Sequence, residues 1–73
     1  MSINEQFGKA VEFFIEQSDF SQNEVALYSG LGSSTNLRNI ISGNSTMTVD
    51  TIEAFCQTFN ISMVDLFKKV EEM

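Results

Sequence analysis

The chain has 73 residues, ten acidic and four basic, and its formal net charge of −6 at pH 7 includes no histidine. A chain this short buries only about 60% of the surface that its unfolded form exposes, and its apolar content of 42% is too high for a disordered segment, so we expect one folded domain over residues 1–73. The single Cys56 excludes an internal disulfide. The lack of histidine argues against an enzyme and against a metal or cofactor site, and the apolar runs are too short for a membrane span.

Apolar residues recur at intervals of three and four along the chain, which predicts helices throughout. The first helix begins after Ser2, because Ser2 and Glu5 have the spacing of a capping box. Its apolar stripe runs from residue 3 to 15 and consists of Ile3, Phe7, Ala10, Val11, Phe14 and Ile15.

Helix 2 is predicted to be brief, over about residues 21–29. Ser21 with Glu24 forms a second capping box. Gly30 ends the helix, because glycine readily takes the left-handed conformation found after helices.

Helix 3 is predicted over about residues 33–42. Ser33 and Ser34 are both acceptable N-caps, and the helix stops before Gly43. Its apolar positions keep helical spacing and are Leu37, Ile40 and Ile41.

Two further helices complete the predicted all-α chain. Thr48 caps helix 4, and Asn60 ends it in the left-handed region. Ser62 with Asp65 opens helix 5 as a third box of the same kind. Helix 4 carries Cys56 among apolar neighbours, so we expect this thiol in the core.

Two segments carry a resemblance to a known family. Residues 20–31, FSQNEVALYSGL, resemble helix 2 and the turn of the Cro/CI family, the lambda-repressor-like helix-turn-helix proteins, with Ala26 at the close-packed position and Gly30 as the turn glycine. Residues 48–67, TVDTIEAFCQTFNISMVDLF, match the family's closing two-helix pattern. The resemblance covers nearly the whole chain and implies a compact five-helix helix-turn-helix domain.

The sequence departs from the family pattern in three ways, two of them in the packing. One extra residue, most simply Gly32, lies between the two family glycines and puts the direction of helix 3 in question. Ile15 and Ile41 stand where the family usually has an arginine and a glutamate. Replacement of a partly buried ion pair by apolar side chains is often neutral or stabilising, so we predict a contact between Ile15 and Ile41.

The third departure is electrostatic. Residues 21–46 contain only Glu24 and Arg38 as charged side chains, so this segment is neutral, while residues 1–20 and residues 47–73 each sum to −3. DNA-binding proteins gain much of their affinity by neutralising phosphates. One arginine in the motif and an acidic surround disfavour strong DNA binding.

The resemblance implies a set of binding positions on helices 2 and 3. Gln22, Ser33, Ser34, Asn36 and Asn39 match family positions that contact phosphates and bases, since asparagine can pair with adenine and serine with either base. Arg38 adds a contact to guanine or phosphate, and carboxylates beside the motif can stand in for phosphates toward a protein. The candidate partner- or DNA-binding residues are therefore Asp19, Gln22, Asn23, Glu24, Ser33, Ser34, Asn36, Arg38 and Asn39.

Two hypotheses for function follow. In the first, the protein is an antirepressor that docks on the helix-turn-helix domain of a repressor, which its acidic surface complements; in size, charge and fold it is similar to the small acidic modulators of repression of temperate phages. In the second, it is a Cro-like repressor that binds operator DNA, weakly alone or jointly with a partner. The antitoxin of a toxin pair is a third, less supported possibility. All three place the protein in the cytoplasm of a bacterial host cell, without a small-molecule substrate.

The aromatic residues are predicted to serve mainly as core. The seven phenylalanines lie at helix-core spacing, which disfavours base stacking. Phe13, beside the main stripe of helix 1, is the best candidate for exposure. For Tyr28 a core role and a contact role both stay open.

Overall fold

The computed structural model describes residues 2–73, which form five α-helices and no strand. This confirms the predicted all-α fold. The helices are α1 (Ile3–Gln17), α2 (Gln22–Tyr28), α3 (Ser34–Ile41), α4 (Val49–Phe59) and α5 (Met63–Glu72).

The helix ends lie within about two residues of their predicted places, because local hydrogen bonds define them. In all three predicted capping boxes the serine hydroxyl accepts from a backbone N–H and the acidic side chain returns to the serine N–H. Thr48 caps α4 in the same sense, accepting from the Thr51 N–H at 3.2 Å. Asn60 ends α4 with φ 56° and ψ 48°, in the left-handed region as predicted.

Two apolar clusters form the core, and both draw on α1 and α4. The first cluster joins these helices to α2 and α3, and the second joins them to α5. The buried members of the first are Val11, Ile15, Val25, Ala26, Leu37, Ile40 and Phe55. The buried members of the second are Phe7, Ala10, Ile52, Cys56, Leu66 and Val70. Alpha-helices 1 and 4 thus form the frame against which α2 and α3 are held.

Alpha-helix 3 lies against α1 with almost no space between the two backbones. A Cβ atom added at Gly8 would collide with the carbonyl oxygens of Ile40 and Ile41. Gly8 itself is buried in the middle of α1. Only glycine allows this approach, so a residue on α1 sets the distance of α3 from the rest of the molecule.

Ile15 and Ile41 belong to the same part of the core. Ile15 is buried in the first cluster, and the half-buried Ile41 packs against that cluster. A direct contact between the two side chains stays a prediction, and the energetic coupling between them is its test.

The thiol and the phenylalanines are placed mostly as expected. Cys56 is buried in the second cluster, and burial raises the pKa of its thiol. Phe13 is half-buried, with the Lys69 ammonium 4.0 Å from its ring centre. The exposed phenylalanine is Phe67, whose ring meets Phe7 edge to face, so the choice of Phe13 for greatest exposure was wrong.

Candidate partner- or DNA-binding surface on α2 and α3

The first turn of α2 presents polar side chains beside a capping box. The Ser21 hydroxyl accepts from the Glu24 N–H at 3.1 Å, and Glu24 Oε1 accepts from the Ser21 N–H at 2.9 Å. One oxygen of the Glu24 carboxylate is therefore already occupied. Gln22 and Asn23 are exposed in the same turn, and Asp19 is exposed in the segment that leads to it.

The turn between α2 and α3 is fixed by a buried hydroxyl and by two glycines. The Ser29 hydroxyl donates to the Val25 carbonyl oxygen at 2.6 Å, and the Leu31 N–H donates to the Ala26 carbonyl oxygen at 3.0 Å. Gly30 and Gly32 have φ values of 78° and 82°, which residues with a Cβ atom rarely adopt. Gly32, the extra residue of the sequence comparison, thus takes a conformation suited to glycine inside the turn.

The start of α3 uses two of the candidate residues for its own structure. The Ser33 hydroxyl caps the helix by accepting from the Asn36 N–H at 3.3 Å. The Asn36 side-chain amide donates to the Leu31 carbonyl oxygen at 2.8 Å. Both side chains are exposed, but part of their hydrogen-bonding capacity is spent within the chain, and Ser34 is half-buried.

The outer face of α3 offers Arg38 and Asn39, which are exposed while Leu37 and Ile40 are buried on the inner face. Residues three and four apart share a helix face. Two exposed residues missing from the sequence-based set therefore join this face, because their spacing from Arg38 and Asn39 places them there. They are Thr35 and Ser42.

Alpha-helix 2 also exposes apolar side chains that the sequence did not single out as a pair. Leu27 is 71% exposed and Tyr28 is 55% exposed. The Tyr28 ring meets the half-buried Phe20 ring edge to face, with 5.4 Å between centroids. Val25 and Ala26 are buried on the inner face of α2, and Leu27 and Tyr28 lie outside both core clusters. Spacing alone left this open, because Tyr28 is three residues after Val25.

The candidate residues therefore occupy two consecutive helices, which pack together, and the segments that lead into each of them. Glu24 and Arg38 cancel, so the α2 and α3 segment is neutral within an acidic chain. Whether these residues bind DNA or a protein stays a prediction.

Residues 2–73 contain no pocket and no group of side chains suited to hold a metal ion. None of the helices in that range is long and apolar enough to cross a membrane.

No family model matches the chain, and no curated protein does. Among solved structures, the clp gene regulator ClgR from Corynebacterium glutamicum matches with a TM-score of 0.91 and 18% sequence identity. The match covers 99% of this chain and 76% of that chain. At this identity the likeness establishes the fold, and it agrees with the predicted five-helix helix-turn-helix arrangement.

Proposed function

We propose that this protein regulates transcription through the surface formed by α2 and α3. The observation that carries the proposal is the likeness to a gene regulator, which extends over 99% of the chain and includes the two helices of the motif and the three around them. A polar exposed surface on these two helices, with no pocket among residues 2–73, suits recognition of a macromolecule.

Operator DNA is the partner that the structural likeness supports. The outer face of α3 carries the chemistry needed for base contacts, since Asn39 can pair with adenine and Arg38 with guanine. Gln22, exposed in the first turn of α2, can donate to a phosphate oxygen. With one cation in residues 21–46, few phosphates are neutralised, and the affinity should depend only weakly on salt.

A repressor protein is a second candidate partner, favoured by the distribution of charge. The chain carries −6 overall and a single cation between residues 21 and 46, which opposes approach to a duplex. The same charge attracts the basic phosphate-binding surface of a repressor. In this alternative the protein is an antirepressor that competes with operator DNA.

The two candidates separate when DNA binding and repressor binding are measured independently. The experiment uses fluorescence anisotropy with promoter DNA from beside the gene, and calorimetry with the DNA-binding domain of the repressor that acts on that promoter. For operator binding we expect Asn39→Ala and Arg38→Ala each to reduce DNA affinity by about 1–3 kcal/mol. Gln57→Ala, at an exposed position of α4, is the matched control and should bind as the parent does.

Each result decides between specific hypotheses. Repressor binding by the parent without DNA binding rejects the operator hypothesis and supports the antirepressor. DNA binding that the α3 substitutions leave unchanged rejects the proposed surface. Absence of both activities rejects both candidates.

A further inference from the structure

A second feature of α2 combines exposed apolar side chains with two carboxylates, Asp19 and Glu24, that also belong to the candidate set. The α2 patch consists of Asp19, Phe20, Glu24, Leu27 and Tyr28. Leu27 and Tyr28 are exposed, and Phe20 supports the Tyr28 ring from the side. Glu24 lies three and four residues before these two apolar residues, so all three share the outer side of α2.

Among the described residues, Leu27 and Tyr28 belong to neither apolar cluster, and Tyr28 meets the half-buried Phe20 ring at its side. The core contacts of α2 are made by Val25 and Ala26 in the first cluster. Leu27 leaves 71% of its surface in water. Exposed apolar side chains are common singly, but a leucine beside an exposed tyrosine and a phenylalanine edge forms a small continuous surface of the type used in protein recognition.

Along the sequence, the charged side chains next to the α2 patch are acidic. Between Lys9 and Arg38 the chain has no cationic residue, and its carboxylates there are Glu12, Glu16, Asp19 and Glu24. Two of the four belong to the patch itself. Such a surface repels the phosphates of DNA and attracts a cationic partner.

The other exposed large apolar side chains lack this combination. Ile3 and Val49 are single exposed residues at the first positions of α1 and α4. On α5 the exposed residues Met63, Val64 and Phe67 lie in a segment that carries both signs of charge, from Asp65, Lys68, Lys69, Glu71 and Glu72. Mixed charges in that segment favour neither a cationic nor an anionic partner. The comparison therefore singles out the α2 patch.

We propose that the α2 patch docks a basic protein surface that presents an apolar side chain flanked by arginines. Leu27 and Tyr28 cover the apolar side chain, and the carboxylates of Asp19 and Glu24 pair with the guanidinium groups. The Tyr28 ring offers its face to a cation as well. The proposal does not require α3 to contact DNA, and it extends to any partner of this chemistry.

The test titrates the full ¹⁵N-labelled chain with two synthetic helical peptides. One peptide has two leucines four residues apart, flanked by arginines, and the other has glutamates in place of the arginines. We expect amide shifts confined to residues 19–28, with affinity for the arginine peptide at least about tenfold higher at low salt. High salt should reduce this difference.

Two variants make the result specific. The double substitution Leu27→Ser with Tyr28→Ser should abolish the shifts while the rest of the spectrum stays that of the folded parent, because both side chains are exposed. Val64→Ser, the matched control on α5, should leave peptide binding unchanged. Equal affinity for both peptides, or shifts centred on α5, would overturn the proposal.

Duplex DNA serves as the third probe. Shifts at residues 19–28 with DNA and not with the arginine peptide also reject the α2 patch as a protein-docking surface. Loss of DNA binding in the α3 variants tests only the proposed regulatory surface. The α2 patch is tested separately, because the peptide titration uses different variants and a different ligand.

Discussion

The inner side of α3 packs so closely against α1 that a single methyl group at Gly8 would strike two carbonyl oxygens, whereas its outer side carries exposed polar residues. Leu37 and Ile40 are buried on the inner side, and Arg38 and Asn39 are exposed on the outer side. The position of α3 is therefore set by its close approach to α1 and by its buried side chains. Arg38 and Asn39 are not part of the buried core, so their chemistry can change without moving the helix.

The largest expected effect comes from filling the space between α1 and α3. In Gly8→Ala the new Cβ meets the backbone of Ile40 and Ile41, which cannot rotate away as a side chain could. Alanine improves helix propensity by up to about 1 kcal/mol, but the forced backbone shift outweighs it. We expect a net loss of about 3 kcal/mol or more in the free energy of unfolding, measured by urea denaturation.

Lys9→Ala is the matched control for that substitution. Lys9 is exposed at the adjacent position of the same helix, so its replacement should change stability by no more than about 0.5 kcal/mol. If Gly8→Ala is as stable as the parent, the close approach of α1 and α3 is not a constraint in solution.

The next effect tests the apolar pair that replaces the family's ion pair. Ile15→Ala should lose about 2–5 kcal/mol of stability, since its side chain is buried in the first cluster. Ile41→Ala should lose less, because Ile41 is only half-buried. The double variant should show a coupling energy of at least about 0.5 kcal/mol if the two side chains are in contact. Strictly additive losses would disprove the contact.

Features that depend on neighbouring residues could be predicted from the sequence, and features that depend on distant residues could not. Helix ends depend on residues within a few positions of one another, so Ser21 with Glu24 and the left-handed Asn60 were identified from spacing alone. Gly8 meets residues more than thirty positions away. A glycine inside a helical pattern usually has a packing reason, yet spacing within α1 cannot say which distant backbone requires it.

The candidate surface was predicted only in part, for a related reason. Its polar members came from a family pattern, which supplies positions such as Gln22 and Asn39. Leu27 was missed because spacing within a helix of seven residues does not show which side meets the neighbouring helices, and the structure leaves it 71% exposed. Surface chemistry is thus decided by the packing of other helices.

A smaller loss of stability is expected when the exposed N-cap residue of α3 is replaced. Ser33→Ala removes the hydroxyl that accepts from the Asn36 N–H and should lower stability by about 1 kcal/mol. Thr35→Ala, two residues later at an exposed position, should stay within about 0.5 kcal/mol of the parent. Thermal unfolding of the two variants gives the comparison, and equal midpoints would show that Ser33 does not cap α3.

The smallest effect concerns Glu5, which connects the start of α1 to the end of α3. The Glu5 carboxylate accepts from the Ser2 N–H at 3.1 Å, and the Glu5 Cγ lies 2.6 Å from the position that a Cβ at Gly43 would take. The Ser2 backbone N–H and then the Ser2 hydroxyl lower the pKa of Glu5 from its ordinary value of 4.5. Because the folded-state pKa is the lower one, the stabilisation is present above about pH 4.5 and is lost as the pH falls through the folded-state value.

Glu5→Gln, which keeps the shape and the capping oxygen, should therefore lose less thermal stability than the parent between pH 5 and pH 3. Glu12→Gln on the same helix is the control for removing one exposed charge while the capping box stays intact. Identical acid profiles for Glu5→Gln and the parent would mean that the carboxylate contributes nothing beyond a neutral cap.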